Sequence, residues 1–557
     1  MASEDSKNYK YEQSSGGKMM KLGGKCLSIL SICVLAGGVH GTAVANQATT
    51  PAAPFGFVLM SGPQVPGKGD TVALARIVIE QTGANCEKMT LTGPGGKKPL
   101  EGLKTRKNYD ESSYPITVCQ TTLPMAAYNS AGETWTLNDG GKDFSIQLAT
   151  ATIAPQRVLV MGDSGCRGDS GGQVCADNTW PLEKTIPTAL AKDLRGGNKP
   201  TLLLHVGDFK YRGKKEKDYS TPGLSWTNWK ADFFQPMMNG PAGNVLAMAP
   251  LVATRGNHEL CAAFGNNGPG WFLFMDPVQA ETHCDGNKKE VASPDYRLDF
   301  DHGLSMLVID TSNVDESGVN KDQAKAVTNS LETMIKESAG RTVWLISHKP
   351  FWSAIKSCPT PYNQTLQDAV AQLPTKELPA SFPLVLSGHK HLYQSVEVAQ
   401  PGQVLQLVVG NSGVNINNGV FNGQQTKPET TVNTLSNFGY ADIHLNVDGA
   451  TQKLGWDINI IALMPQANPA PANWTGFEPV ENCSFAGGVQ PCKLIKPNLF
   501  PPTTCDSKAK DDTNAAGNEE VDEESKHQDK DKDHDKDHDK DHGKDHGKDK
   551  DDGKHKH

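Results

Sequence analysis

Seven residues of metal-ligand type sit in five short blocks of this chain: Asp163 in VLVMGDSG, Asp208 and Tyr211 in LLLHVGDFKY, Asn257 in LVATRGNHE, His348 in VWLISHKP, and His389 and His391 in LVLSGHKH. Together they offer carboxylate, phenol, amide and imidazole donors. Two metal ions roughly 3.5–4 Å apart can grip a phosphate ester, activate a water and stabilise the leaving oxygen of an in-line displacement. Such a centre needs a bridging carboxylate, further oxygen and nitrogen donors, and an acid for the leaving group. The five blocks contain a residue type for each of these tasks. Taken singly, each block favours a plain reading, because Gly-Asp after a strand is common in turns and a lone histidine is more often a core residue than a ligand. All five in order, each at the end of an apolar run, reverse those odds.

The elements that must position these residues are legible in the same blocks. Each ligand directly follows a run of β-forming residues, which delivers it to the carboxyl edge of a sheet, where open α/β folds bind their ligands. Glycine before the ligand lets the backbone turn sharply there. Between the blocks, WPLEKTIPTALAKDL, WTNWKADFFQPMM, KDQAKAVTNSLETMIKES and QTLQDAVAQL carry helical periodicity, and this alternation predicts an α/β core from residue 156 onward. Residues 57–153 differ, with short alternating runs such as VALARIVIE, WTLND and FSIQLAT between Gly-rich turns, and predict a small β-sandwich. Residues 46–56 read as a Pro/Ala/Thr linker. Beyond about residue 400, LQLVVGNSG, ADIHLNV and LGWDINII read as strands completing a second sheet.

Composition bounds the rest. A chain of 557 residues with 37% hydrophobic content is long enough for two domains, and a net charge of −9 says nothing about partners. No basic stripe with interleaved aromatics appears, which argues against a nucleic-acid scaffold. Residues 1–45 read as an export signal: Lys18, Lys21 and Lys25 precede an apolar stretch from Cys26 to Val39, and Ala43-Val44-Ala45 supplies small residues for cleavage before Asn46. That stretch is too short for a stable membrane span. A secreted, periplasmic or extracellular location follows, with Met19 or Met20 as alternative starts.

Ten cysteines remain after cleavage at Ala45, an even number that favours disulfides. Spacing does not fix the connectivity, and proximity favours Cys86 with Cys119, Cys166 with Cys175, Cys261 with Cys284 and Cys483 with Cys492. The segment 506–557 is a Lys-Asp-His repeat nearly devoid of apolar residues and reads as a disordered tail. It holds seven of the sixteen histidines, and weak multisite capture of Zn, Ni or Cu ions competes there with a merely solvated tail.

The order GDxG, GDxxY, GNH(D/E), xxxH and GHxH resembles the calcineurin-like metallophosphoesterase superfamily, and within it the purple acid phosphatases. Most of that superfamily opens with D-x-H. Here Asp163-Ser164-Gly165 lacks the histidine, while Tyr211 offers a phenolate that suits Fe(III). The two departures compensate each other. The resemblance implies Fe(III) on Asp163, Asp208, Tyr211 and His391, and a divalent Fe, Zn or Mn on Asp208, Asn257, His348 and His389, with Asp208 bridging. It further implies that His258 contacts the phosphate or protonates the leaving alkoxide, with Glu259 orienting it, and that Asn257, His258 and Arg255 bind substrate. The implied fold is a four-layer α-β-β-α sandwich over 156–505, preceded by a small all-β domain.

The reading that follows is a secreted dimetal acid phosphatase in which metal-activated hydroxide attacks phosphomonoesters. GDSGCRGDSGGQVCADNTWP, WKADFFQP, GNHELC and GWFLFMDP resemble a bacterial secreted subgroup of these enzymes. Two alternatives stand beside it: a phosphodiesterase or nucleotidase using the same centre, and a non-catalytic metal-binding or surface protein whose His-rich tail is the working part. Trp226, Trp229, Trp271 and Trp352 read as core rather than pocket, and His205 and His444 as structural.

Overall fold

In the computed structural model, the described residues are 53–502, apart from 68, 97–98, 126–128, 130, 168–172, 176–179, 213–224, 262–266, 278–283, 285–289, 317, 355–362, 400–402, 418–420, 427–428, 452, 466–473, 487 and 490. The export signal, most of the linker and the Lys-Asp-His tail lie outside them.

Two large sheets dominate. Among the described residues the first has eleven strands, and its middle is the parallel set Arg157–Met161, Thr201–His205 and Leu251–Ala253. The second has eight, and its middle is the parallel set Leu304–Val308, Thr342–Ile346, Leu384–Ser387 and Val404–Val409. In fully buried strands both faces must be apolar, and the alternation along each strand sorts them. Val158, Val160, Leu202, Leu204 and Val252 of the first sheet meet Met306, Trp344, Ile346, Leu384 and Leu386 of the second in one shared core. The other faces, carrying Leu159, Met161 and Leu203 on one sheet and Leu307, Val343, Leu345 and Val385 on the other, are covered by helices.

The helices lie where the sequence periodicity predicts. Thr185–Gly197 buries Ile186, Leu190 and Leu194 against the first sheet. Lys321–Glu337 buries Ala324, Val327, Leu331 and Met334 against the second, a spacing of three and four residues that makes one apolar stripe. The Asn320 side chain caps it by accepting from the Gln323 amide at 3.2 Å. WTNWKADFFQPMM is helical from Ser225 to Asn239, with a wider π-type turn over Lys230–Phe234. Trp226, Trp229, Trp271 and Trp352 are all buried in core clusters.

Two expectations need correction. Segment 57–153 does not stand as a separate β-sandwich. Phe55–Ser61 begins inside the expected linker and pairs in parallel with Leu251–Ala253, so Phe55–Ser61, Val72–Ile79, Thr117–Leu123 and Lys104–Thr105 extend the first large sheet. A four-stranded sheet built on Glu133–Asn138 and Asp143–Leu148 contributes Trp135, Leu137, Ile146 and Leu148 to the same core. Edge hydrogen bonding is sequence-blind, so alternating patterns alone do not reveal which sheet a strand joins. Likewise, of the strands beyond residue 400, Val404–Val409 joins the second sheet, whereas Gly439–Val447 and Leu454–Pro465 join the first, Gly439–Val447 antiparallel to Arg157–Met161.

Disulfides join Cys86 to Cys119, Cys166 to Cys175, Cys261 to Cys284 and Cys483 to Cys492, the four pairs expected from proximity. They are consistent with an extracellular or periplasmic protein. No helix among the described residues is long and apolar enough to cross a membrane.

Candidate metal centre

The parallel strands of both sheets end at one rim. Asp163, Asp208 and Asn257 follow the first sheet's strands Arg157–Met161, Thr201–His205 and Leu251–Ala253. His348, His389 and His391 follow the second sheet's strands Thr342–Ile346 and Leu384–Ser387. Asp163, Asp208 and His389 all adopt positive φ, at 51°, 56° and 71°. A left-handed conformation is costly for a non-glycine residue and persists only where the surroundings enforce it. Gly207, at φ 99°, sits so close to the His348 ring that a Cβ would collide with it. Gly256 is pressed in the same way against Asp208.

The expected ligands meet. The Tyr211 phenol lies 2.8 Å from Asp208 Oδ2, 3.0 Å from Asp163 Oδ1 and 3.1 Å from His391 Nε2. On the other side, Asn257 Oδ1 lies 2.9 Å from both His348 Nε2 and His389 Nδ1, and His348 Nε2 is 3.3 Å from Asp208 Oδ2. Two donor groups result, Asp163 with Asp208 and His391, and Asp208 with His348 and His389, and they share Asp208. A third cluster, Glu481 with Cys483 and Cys492, has its sulfurs tied up in a disulfide.

The donor chemistry fits cations. His348 Nδ1 donates to the Val206 carbonyl at 2.8 Å, which turns Nε2 toward the oxygens of Asn257 and Asp208. Electrostatics point the same way. Burial and the Asp208 charge push the Asp163 carboxyl well above its usual range. Burial alone would raise Asp208, but the His348 and His258 imidazoles hold it well below. Burial would lower His348, yet the Asp208 charge outweighs this and lifts it to about 9. Burial lowers His389 to about 4 and also lowers His391, keeping both neutral as ligands require. Burial and the two carboxylates raise the Tyr211 phenol, a shift that a bound cation opposes.

Supporting contacts fix the loops. The His389 amide donates to Asp163 Oδ2 at 2.9 Å, linking the two sheets at the rim, and the His258 amide donates to Asp208 Oδ1 at 2.9 Å. The His258 ring centroid is 4.2 Å from that of Tyr211. Asp232 accepts from the Tyr211 and Arg212 amides at 3.1 and 3.2 Å and pairs with the Arg212 guanidinium, so WKADFFQP fixes the backbone that carries the tyrosine. Sequence reasoning gave Asp232 no role, because it has no motif of its own.

The Glu259 carboxylate accepts from four backbone amides, those of Asp208, Gly256, Phe209 and Lys210, at 2.9 to 3.3 Å. It braces the loop that carries Asp208. Burial and the Asp208 charge raise it to about 8 against those four donors. Arg255 is no phosphate partner. Its guanidinium is wholly buried, paired with Glu290 at 2.7 Å and Asp310 at 3.4 Å, donating to the Glu259 and Val291 carbonyls and packed over Phe272. His205 and His444 are structural as expected, His205 bonded to Ser164 Oγ at 2.8 Å and stacked on Phe209, His444 on Asp442.

This arrangement is that of a metallophosphoesterase. Residues 156–393 match the family model of the calcineurin-like phosphoesterases, so this part of the chain is a calcineurin-like phosphoesterase domain, with phosphate esters as the implied substrates. Its tyrosine-containing donor set resembles that of purple acid phosphatases. Among solved structures, the chain is similar to purple acid phosphatase PPD1 from yellow lupin (Lupinus luteus) seeds, with 13% identity, 74% of this chain and 72% of that chain covered, and a TM-score of 0.49. It is also similar to the sulfate thiohydrolase SoxB of Thermus thermophilus in complex with glycerol, with 10% identity, coverage of 62% and 58%, and a TM-score of 0.26. No curated protein matches the sequence.

Proposed function

We propose that the protein is a secreted dimetal phosphohydrolase acting on phosphomonoesters, an acid phosphatase of the purple type. The observation that carries this reading is the convergence of seven buried or half-buried donors into two groups that share Asp208, with a tyrosine phenol in the first. Asp163, Asp208, Tyr211 and His391 would hold Fe(III). Asp208, Asn257, His348 and His389 would hold a divalent Fe, Zn or Mn ion, between helix-covered sheets arranged as α-β-β-α. When bound, such a pair neutralises phosphoryl charge and acidifies water.

The chain's own residues do the rest. Asp208, held by the His258 amide and the Glu259-braced loop, places the two groups of donors at a fixed separation. His258, whose ring packs against Tyr211 with centroids 4.2 Å apart, would donate a proton to the leaving alkoxide or bind a phosphoryl oxygen. Asn257 turns its carbonyl toward the two imidazoles, leaving its amide for the ester oxygens. Buried His348 and Asp163 keep bulk water from the inner side of the centre.

The test is an optical spectrum of the oxidised protein together with a substrate panel. A visible charge-transfer band lost in Tyr211→Phe, with monoesters hydrolysed ahead of bis-esters, is expected. A colourless, fully loaded enzyme that prefers bis-esters would replace this reading with the phosphodiesterase one.

A further inference from the structure

Glu316 lies outside every motif block, in the loop between Leu304–Val308 and Lys321–Glu337, yet its carboxylate reaches the rim of the centre. Its Oε1 lies 2.7 Å from His389 Nε2. The opposite ring nitrogen, Nδ1, is the one 2.9 Å from Asn257 Oδ1, facing His348 and Asp208. The ring thus lies between Glu316 on its outer side and Asn257 on its inner side. A proton on Nε2, shared with Glu316, leaves the Nδ1 lone pair directed inward.

The loop that supplies Glu316 is itself anchored to the second sheet. Thr311 Oγ1 accepts from the Lys349 amide at 2.9 Å, and Lys349 Nζ donates to the Val314 carbonyl at 2.9 Å. Lys349 Nζ also lies 3.3 Å from Glu316 Oε1, and Lys390 Nζ lies 4.0 Å from Oε2. A carboxylate against the outer ring nitrogen is the acceptor that fixes an imidazole tautomer and raises its basicity toward a metal. The competing role is purely electrostatic, with Glu316 neutralising a buried lysine.

Resting on the dimetal reading, we infer that Glu316 is a positioning residue for the second ion: it fixes His389 as an Nδ1 ligand. Removing such an outer partner typically lowers metal affinity about 10–100-fold. The experiment dialyses the holoenzyme and its variants against graded chelator buffers and counts ions per chain by elemental analysis, with thermal melting as a check on folding. Glu316→Ala is expected to lose one of two ions at 10–100-fold higher free metal than the wild type, while retaining the other. Glu316→Gln, whose carbonyl still accepts from Nε2, is expected to recover much of that loss. Unchanged retention in Glu316→Ala overturns the inference, as does a loss in Glu316→Gln equal to that in Glu316→Ala. A wild-type enzyme holding fewer than two ions would instead overturn the dimetal reading beneath it.

Discussion

The two sheets contribute chemically different halves of one site. The first supplies oxygen alone, through Asp163, Asp208, Tyr211 and Asn257; the second supplies nitrogen alone, through His348, His389 and His391. Neither half makes a complete donor group. Each group within the centre draws on both sheets, so the site exists only while the core between the sheets holds them in register. The oxygen half also crowds two carboxylates that repel each other, and the nitrogen half offers three imidazoles. Cations answer both needs at once. Packing between sheets therefore sets the ligand geometry, and the metal in turn would bind the sheets at their rim.

The sharpest way to break the comparison is to strip the oxygen side of its shared ligand. Asp208→Asn should lower kcat/KM for a phosphomonoester by about a thousandfold or more, or about 4 kcal/mol, measured by steady-state hydrolysis. Removing the contact between the sheets comes next. Trp344 is fully buried on the second sheet and meets Trp456 of the first edge to face at 5.3 Å. Trp344→Ala should cost about 3–5 kcal/mol of stability in denaturant unfolding, with metal retention falling alongside, because the oxygen and nitrogen halves separate together.

Arg255 sharpens the comparison from within the oxygen half. Arg255→Met leaves Glu290 and Asp310 without their buried counter-charge, and should cost about 3 kcal/mol or more in unfolding. KM for the surviving folded enzyme should stay within a few-fold of wild type, which a phosphate-binding role would not allow.

A smaller effect is expected at a second junction of the sheets. Glu481, on the first sheet's strand Trp474–Phe485, accepts from Tyr393 at 2.6 Å, Asn433 at 2.8 Å and Ser395 at 2.9 Å, all on the second sheet. Burial raises it to about 7 despite those donors. Its folded pKa thus lies above its unfolded value, and its stabilisation is fully present below about pH 4.5 and is lost as pH rises through about 7. The wild type should lose at most about 3 kcal/mol across that window relative to Glu481→Gln, read from melting curves at pH 5 and 8.

Much of this architecture was legible in the sequence because metal ligands at strand ends carry a local signal. At Asp163, Asp208, Asn257 and His389 a run of β-formers, a glycine and a donor state the strand, the turn and the donor together, and the structure brings these and the other three donors to one rim. What was not legible depends on contacts distant in sequence. Arg255 beside Gly256-Asn257-His258 reads as a phosphate partner until Asp310, 55 residues on, is seen against it. Glu259 reads as a partner of the adjacent histidine, but its acceptors' work is done some fifty residues back, on the amides around Asp208. Asp232 and Glu316 sit in unremarkable local sequence and gain their roles only from folding. The N-terminal strands alternate as any half-buried strand would, and that pattern does not say which sheet they extend.

The central claim is that Asp208 is shared by two ions. It is tested most directly by elemental analysis of the purified wild type and Asp208→Asn, both shown to be folded. The account predicts two ions per chain in the wild type and loss of both from the variant under the same dialysis. A fully active wild type with a single ion, or a variant that keeps two, would contradict it.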